Sequence, residues 1–258
     1  MDWGISRLIF LKAAFYFSVF VFMRSNGLNW LAIPFLYASL VFFLVSIASH
    51  PQINLPILLG KSTDGSFPIW SIIIFGPFLL FVRMFSTLRR LMSKEEPYTE
   101  ICEGVYVGGW PSSLDKSPPR NPAIIDCTCE FPRSSEFLKN PYFCVPTWDT
   151  RSPQPSEIEA AVKWGCRKRA LGVPVFIHCA YGHGRSVAVM CALLVALGMV
   201  DNWKDAEKLI KERRPYIRMS SLQRKALEEW AKHRLSPIRK KVETDVSSVI
   251  MPNSLERN

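Results

Sequence analysis

Three apolar runs crowd the first third of this 258-residue chain, and no other feature constrains its architecture so strongly. They extend from Leu8 to Met23 with only Lys12 interrupting, from Leu28 to Ala48 without a charge, and from Phe67 to Val82, again uncharged. A helix needs about 20 predominantly apolar residues to cross a bilayer. The pattern therefore predicts a membrane region over residues 1–93 with two to three transmembrane helices. A soluble domain of this length has no use for three such helices ahead of its core. The first run does not end like a secretory leader, because Met23-Arg24-Ser25-Asn26 is not a small-residue cleavage site.

Basic residues set the expected orientation. Arg83, Arg89, Arg90 and Lys94 follow the third run, so what comes after it should face the cytosol. The loop from Ser49 to Ser66 carries only Lys61 as a basic residue and is expected on the opposite side. An integral membrane protein with a cytosol-facing C-terminal domain follows.

The net charge of +10 does not indicate nucleic-acid binding, since no recognisable module presents a basic face. A basic surface suits membrane lipids and phosphorylated ligands. The seven cysteines are scattered, and Cys127-x-Cys129 has no second pair at ligand spacing, which argues against a zinc site. They read as reduced thiols in a cytosol-like compartment. Gly60-Lys61-Ser62 looks like the end of a nucleotide-binding loop, but the glycine required five residues before Gly60 is Leu55.

After a link at Lys94–Pro97, strand-like and helix-like stretches alternate, which predicts an α/β sheet flanked by helices over residues 94–235. Strands are expected at Val105–Val107, ended by Gly108-Gly109, and at Ala123–Thr128, Tyr142–Val145 and Val173–His178. A helix opens on a capping box of Ser156 with Glu159 and runs to about Ala170. A second, apolar helix covers Ser186–Leu197 and stops at Gly198. A third is capped by Asp201 and ended by Pro215. A fourth starts at Ser220 or Ser221, with Leu222, Leu227 and Trp230 toward the core. Residues 236–258 form a basic tail expected to be disordered.

The chemistry concentrates in Val175-Phe176-Ile177-His178-Cys179-Ala180-Tyr181-Gly182-His183-Gly184-Arg185-Ser186. A buried strand feeds a glycine-containing loop, which opens an apolar helix. Successive backbone N–H groups then form an anion nest at the helix N-terminus. Gly182 and Gly184 let the backbone turn and approach a ligand. The same positive field favours the thiolate of Cys179. The planar fork of Arg185 matches two phosphoryl oxygens, and Ser186 can donate to the sulfur.

This Cys-x5-Arg-Ser loop resembles the signature of the cysteine-based protein tyrosine phosphatase superfamily, dual-specificity branch. Flanking segments resemble it too: Gly104–Gly109 the first strand, Val145–Asp149 the strand and loop that supply the general acid, and Arg214-Pro215 with Ser220, Ser221 and Gln223 the closing segment. The resemblance covers about Tyr98 to Leu235. It implies a dual-specificity-phosphatase-like α/β fold and a phosphoric monoester hydrolase that needs no metal and no cofactor. Cys179 would attack phosphorus and Arg185 would clamp the phosphoryl group. Ala180, Tyr181, Gly182, His183 and Gly184 would complete the phosphate loop, and Ser186 would assist the sulfur as it leaves. Asp149 would be general acid and then base. Asp126 is its rival, but it falls inside a buried strand where a mobile acid is disfavoured. His178 would orient the loop. His183 would either lend a positive charge toward phosphoinositides or stand at the rim without that role. Cys127 or Cys129 could trap an oxidised Cys179 or be plain buried thiols, and Trp110 and Trp148 would be core or pocket-wall residues. Expected partners are membrane lipids and a phosphorylated lipid or protein. The alternatives are a tyrosine or dual-specificity protein phosphatase, a catalytically inert phosphate-binding membrane module, and a sulfur-transfer enzyme, which Ser186 and Asp149 disfavour.

Overall fold

The computed structural model describes residues 4–234; the expectation for the 236–258 tail lies outside them. Helices α1 (Gly4–Ser25), α2 (Asn29–Ala48) and α3 (Ile69–Met92) match the three apolar runs, and each is long and apolar enough to cross a membrane. Helices α1 and α2 form an antiparallel hairpin. The hydroxyl of Ser46 donates to Ser6 O at 2.9 Å and that of Ser39 to Ala13 O at 2.9 Å, so polar side chains inside the hairpin bond to backbone carbonyls. Most of the hairpin's large apolar side chains point outward, among them Leu8, Phe22, Trp30 and Leu40.

Five strands follow: β1 (Tyr98–Cys102), β2 (Val105–Gly109), β3 (Ala123–Asp126), β4 (Tyr142–Cys144) and β5 (Val175–Cys179). They form one sheet in the order β1-β2-β5-β3-β4, parallel except for β1, which is antiparallel to β2. Helices α4 (Pro155–Ala170), α5 (Arg185–Ala196), α6 (Trp203–Arg213) and α7 (221–234) flank it. Alternate residues of the central strands, such as Val107, Ile125 and Ile177, meet Ile158, Leu193, Ile210 and Leu227 in one core. Asp126 and His178 pair in register at the carboxyl ends of β3 and β5, so the loops that follow these strands open on the same edge.

Several local expectations are corrected. Glycines 108 and 109 continue β2 instead of ending it. The backbone of Pro97 and of Tyr98, the first residue of β1, packs so closely on Gly108 that a Cβ there would collide with it. Strand β1 was not anticipated. Helix α4 is capped by Gln154 with Glu157, not Ser156 with Glu159, because Pro155 takes the first helical position. Asn202, not Asp201, caps α6, its side-chain oxygen accepting from the N–H groups of Lys204 and Asp205. Leu222 is only half-buried, whereas Leu227 and Trp230 are buried.

The largest correction concerns the loop between α2 and α3. Expected across the membrane, it lies against the sheet-containing unit instead. Lys61 donates to the Asp126 carboxylate at 2.6 Å and to Thr128 O at 2.8 Å, with the Lys61 and Asp126 side chains no more than 1% exposed. Arg133 N donates to Gly65 O at 2.9 Å. The membrane region and the α/β unit also share a second core, in which Phe42, Leu59, Phe75 and Phe78 pack with Cys129 and Trp148.

Candidate active site

The loop from Cys179 to Arg185 joins the end of β5 to the start of α5, as the sequence predicts. Gly182 has φ +77°, and a Cβ on it would meet the backbone of Gly108 at 2.6 Å, so only glycine fits there. Gly184 is not left-handed; a Cβ there would press on the side chain of Gln223. The loop carbonyls are held from outside. Arg90 donates to Ala180 O (2.7 Å), Arg214 to Tyr181 O (3.0 Å) and Gly182 O (3.2 Å), and Arg218 N to His183 O (2.8 Å). With these carbonyls turned out, the following N–H groups of residues 181–184 are turned in, which is the nest an anion requires.

Cys179 sits at the floor of this nest, 3% exposed. Its sulfur accepts from Gly182 N–H and from the Ser186 hydroxyl, each at 3.3 Å. Burial alone would raise its pKa, but the Arg185 charge, the Ser186 hydroxyl and loop N–H groups outweigh that and hold the thiol below its ordinary value. By contrast, burial pushes the thiols of Cys127 and Cys129 well up, and the neighbouring negative groups add to it. They are buried neutral thiols.

Arg185 is fully buried and splayed against Glu130: Nη2 lies 2.7 Å from Oε1, Nη1 3.0 Å from Oε2, and Nη1 also donates to Thr147 O at 2.7 Å. This two-pronged pairing fixes the guanidinium plane. Its Nε is buried without a hydrogen-bond partner, a donor left free for a ligand oxygen. Glu130 was not anticipated; an acidic residue just past a buried strand carries no sequence signal of this role.

Asp149 lies on the loop after β4, its side chain 43% exposed and Oδ1 3.4 Å from Arg185 Nη2. That position brings it to the cysteine loop while leaving it open to solvent. Asp126, its rival, is sealed under Lys61 and Tyr142, whose hydroxyl donates at 2.6 Å. Burial would raise its pKa, but the Lys61 ammonium prevails and holds the carboxylate well below the usual range. A permanently ionised, enclosed carboxylate cannot deliver a proton to a leaving group. His178 lies 3.9 Å from Asp126, and burial pushes its imidazole down to about 4, so it is neutral at pH 7. His183 turns to Glu95 at 2.6 Å. Burial lowers its pKa more than Glu95 raises it, so it does not present a free positive charge to the loop.

The N-terminal apolar helices and the turn after α2 reach the loop that carries Asp149 directly. Ile5 N–H donates to Thr150 Oγ1 at 3.1 Å, Arg151 donates to Ser49 O at 3.0 Å, and Phe78 packs edge-on to Trp148 at 6.2 Å. Trp110 stacks on Phe131 at 4.8 Å beside the loop. Arg89 stands over the Tyr181 ring at 4.3 Å.

No family model and no curated protein matches the chain. Among solved structures it is similar to PTPMT1 in complex with PI(5)P, with 22% identity over 55% of this chain and 99% of that one, TM-score 0.49. It is also similar to Tk-PTP in its active form, with 22% identity over 53% and 97%, TM-score 0.48. A third is the human tyrosine phosphatase-like serine/threonine/tyrosine-interacting protein, with 19% identity over 54% and 99%, TM-score 0.47. At these values the likeness carries no chemistry, and the functional reading rests on the chain's own residues.

Proposed function

We propose that this chain is a membrane-anchored phosphatase that hydrolyses phosphomonoesters through a cysteinyl-phosphate intermediate. The observation that carries it is the environment of Cys179, a fully enclosed thiol held toward its ionised form by Arg185, Ser186 and inward-facing N–H groups. A merely buried cysteine goes the other way, as Cys127 and Cys129 do.

The residues divide the work as follows. The Cys179 thiolate attacks phosphorus, and the bond to the leaving oxygen breaks as Asp149 supplies its proton. The N–H groups of 181–184 and the Arg185 guanidinium hold the equatorial oxygens, with Glu130 fixing the guanidinium. Ser186 then donates to the sulfur while Asp149, now ionised, takes a proton from the water that releases phosphate. Lipid is the favoured substrate, because the acid loop and the phosphate loop are both bonded to helices of the membrane region. A protein phosphatase is the second reading, supported by the half-exposed Asp149 at an open rim.

The test uses the full chain in mixed micelles, with and without Cys179→Ser. Phosphate release is followed from an aryl phosphate, a phosphotyrosyl peptide, phosphoinositides and phosphatidylglycerophosphate. Cys179-dependent release supports the mechanism, and the preferred substrate separates lipid from protein. A folded, unmutated chain that releases nothing from any of them defeats it in favour of an inert phosphate-binding module.

A further inference from the structure

Helix α3 is apolar and 24 residues long, about 36 Å at the usual rise, so by length it could span a bilayer. Its two ends say otherwise. At its start, Ser71 donates to Leu59 O at 2.5 Å, and two residues beyond Leu59 the Lys61 ammonium is sealed on Asp126. At its other end, Arg90 donates to Ala180 O. Asp126 lies within 4 Å of His178, two residues before Ala180. The segments before and after α3 thus converge on neighbouring residues of one α/β unit. A spanning helix would hold them a bilayer's thickness, about 30 Å, apart.

The two faces of α3 are equally distinct. Phe75, Phe78, Leu79 and Ser86 are buried toward the rest of the chain. Opposite them, Ile73, Leu80, Met84, Leu88 and Leu91 recur at helical spacing and are all more than half exposed. This stripe continues the outward apolar surface of the α1–α2 hairpin, which α3 touches through Phe42 against Phe78 and Phe81. A one-sided apolar helix joined to a membrane hairpin is what lies in a bilayer interface.

We infer that only α1 and α2 cross the membrane and that α3 is an in-plane helix whose outer stripe is seated on the lipid interface, bracing the phosphate loop and acid loop at the bilayer surface. Both ends of α3 and the α/β unit then share one side, with the hairpin tip near Asn26 on the other. Insertion of the stripe fixes how the mouth of the site meets the membrane.

The test is topological and does not depend on turnover, so it stands apart from the phosphatase reading. The full chain carrying Cys102→Ser, Cys144→Ser, Cys166→Ser and Cys179→Ser, the last because its thiolate would itself take the label, is reconstituted in sealed phosphatidylcholine and phosphatidylserine vesicles. Single thiols are introduced by Thr63→Cys, Lys139→Cys or Asn26→Cys and labelled with a membrane-impermeant maleimide. Thr63→Cys and Lys139→Cys should label in the same fraction of molecules, and Asn26→Cys in the complementary fraction. If Thr63→Cys labels with Asn26→Cys, α3 is a span and the inference is overturned. A fluorophore on Leu88→Cys should be quenched best by lipids brominated near the headgroup. Strongest quenching by aqueous iodide, or by neither quencher, would mean that water or another protein surface covers the stripe, and would equally overturn it.

Discussion

Replacing Lys61 by methionine tests whether the loop between α2 and α3 is part of the folded α/β unit. Lys61 neutralises Asp126 across 2.6 Å, and both side chains are excluded from solvent. Without the ammonium, the carboxylate must stay charged in the interior or take up a proton. The proton sets a ceiling: for a carboxyl of ordinary pKa about 3.9, protonation at pH 7 costs about 4 kcal/mol, at 1.36 kcal/mol per pH unit. Breaking a buried pair from one side costs about 3–5 kcal/mol, so a loss of about 3–4 kcal/mol is expected. At pH 5 the same ceiling falls to about 1.5 kcal/mol.

The sign follows from Asp126, whose depressed pKa gives stability present above its unfolded value and lost as pH falls. Thermal unfolding of full-length Lys61→Met in detergent micelles should begin about 10 °C below the parent at pH 7 and about 4 °C below it at pH 5. His178, neutral in the fold, destabilises the parent as the medium is acidified. Because the Lys61 charge helps burial to hold that imidazole down, its removal lessens this penalty and further narrows the difference at pH 5. Adding Asp126→Asn should recover much of the loss at pH 7. A loss below about 1 kcal/mol, or one equal at both pH values, would refute the reasoning.

Further outcomes follow from the site. Alkylation of Cys179 by iodoacetamide should follow an inflection below the ordinary thiol range near pH 8.5, and Ser186→Ala should move that inflection upward, since its hydroxyl is one of the groups lowering the pKa; a higher native inflection would contradict the electrostatics. Asp149→Asn should lower kcat by about 10²–10⁴-fold for poor leaving groups and much less for an activated aryl phosphate, whereas Asp126→Asn should cost stability without that leaving-group dependence. Glu130→Gln should weaken binding of inorganic vanadate by loosening Arg185, which Glu130 holds on two prongs; unchanged vanadate binding would contradict that role.

The strand, loop and helix around Cys179 were legible because their signal is local. Strand, glycine loop and helix follow one another in sequence, so Cys179, Gly182, Arg185 and Ser186 could be read together from a dozen residues. The parallel strands were legible from apolar runs, whereas Asp149 was singled out through the resemblance of Val145–Asp149 to a family segment. What escaped is long-range. Glu130 reaches Arg185 across 55 residues and Arg90 reaches Ala180 across 90, and such pairings leave no periodicity. Strand β1 carries an edge pattern too mixed to stand out. Lys61 misled for a physical reason: a single lysine between two apolar runs reads as a sparse, far-side loop. Hydropathy records how apolar a helix is, not whether its two ends return to the same domain.

The most direct test of the central claim is to quench the full chain during turnover and map the phosphoryl group by mass spectrometry. A phosphoryl adduct on the peptide carrying Cys179, absent from Cys179→Ser, is the predicted result. Sustained phosphate release with no adduct on Cys179, or undiminished release by Cys179→Ser, would contradict it.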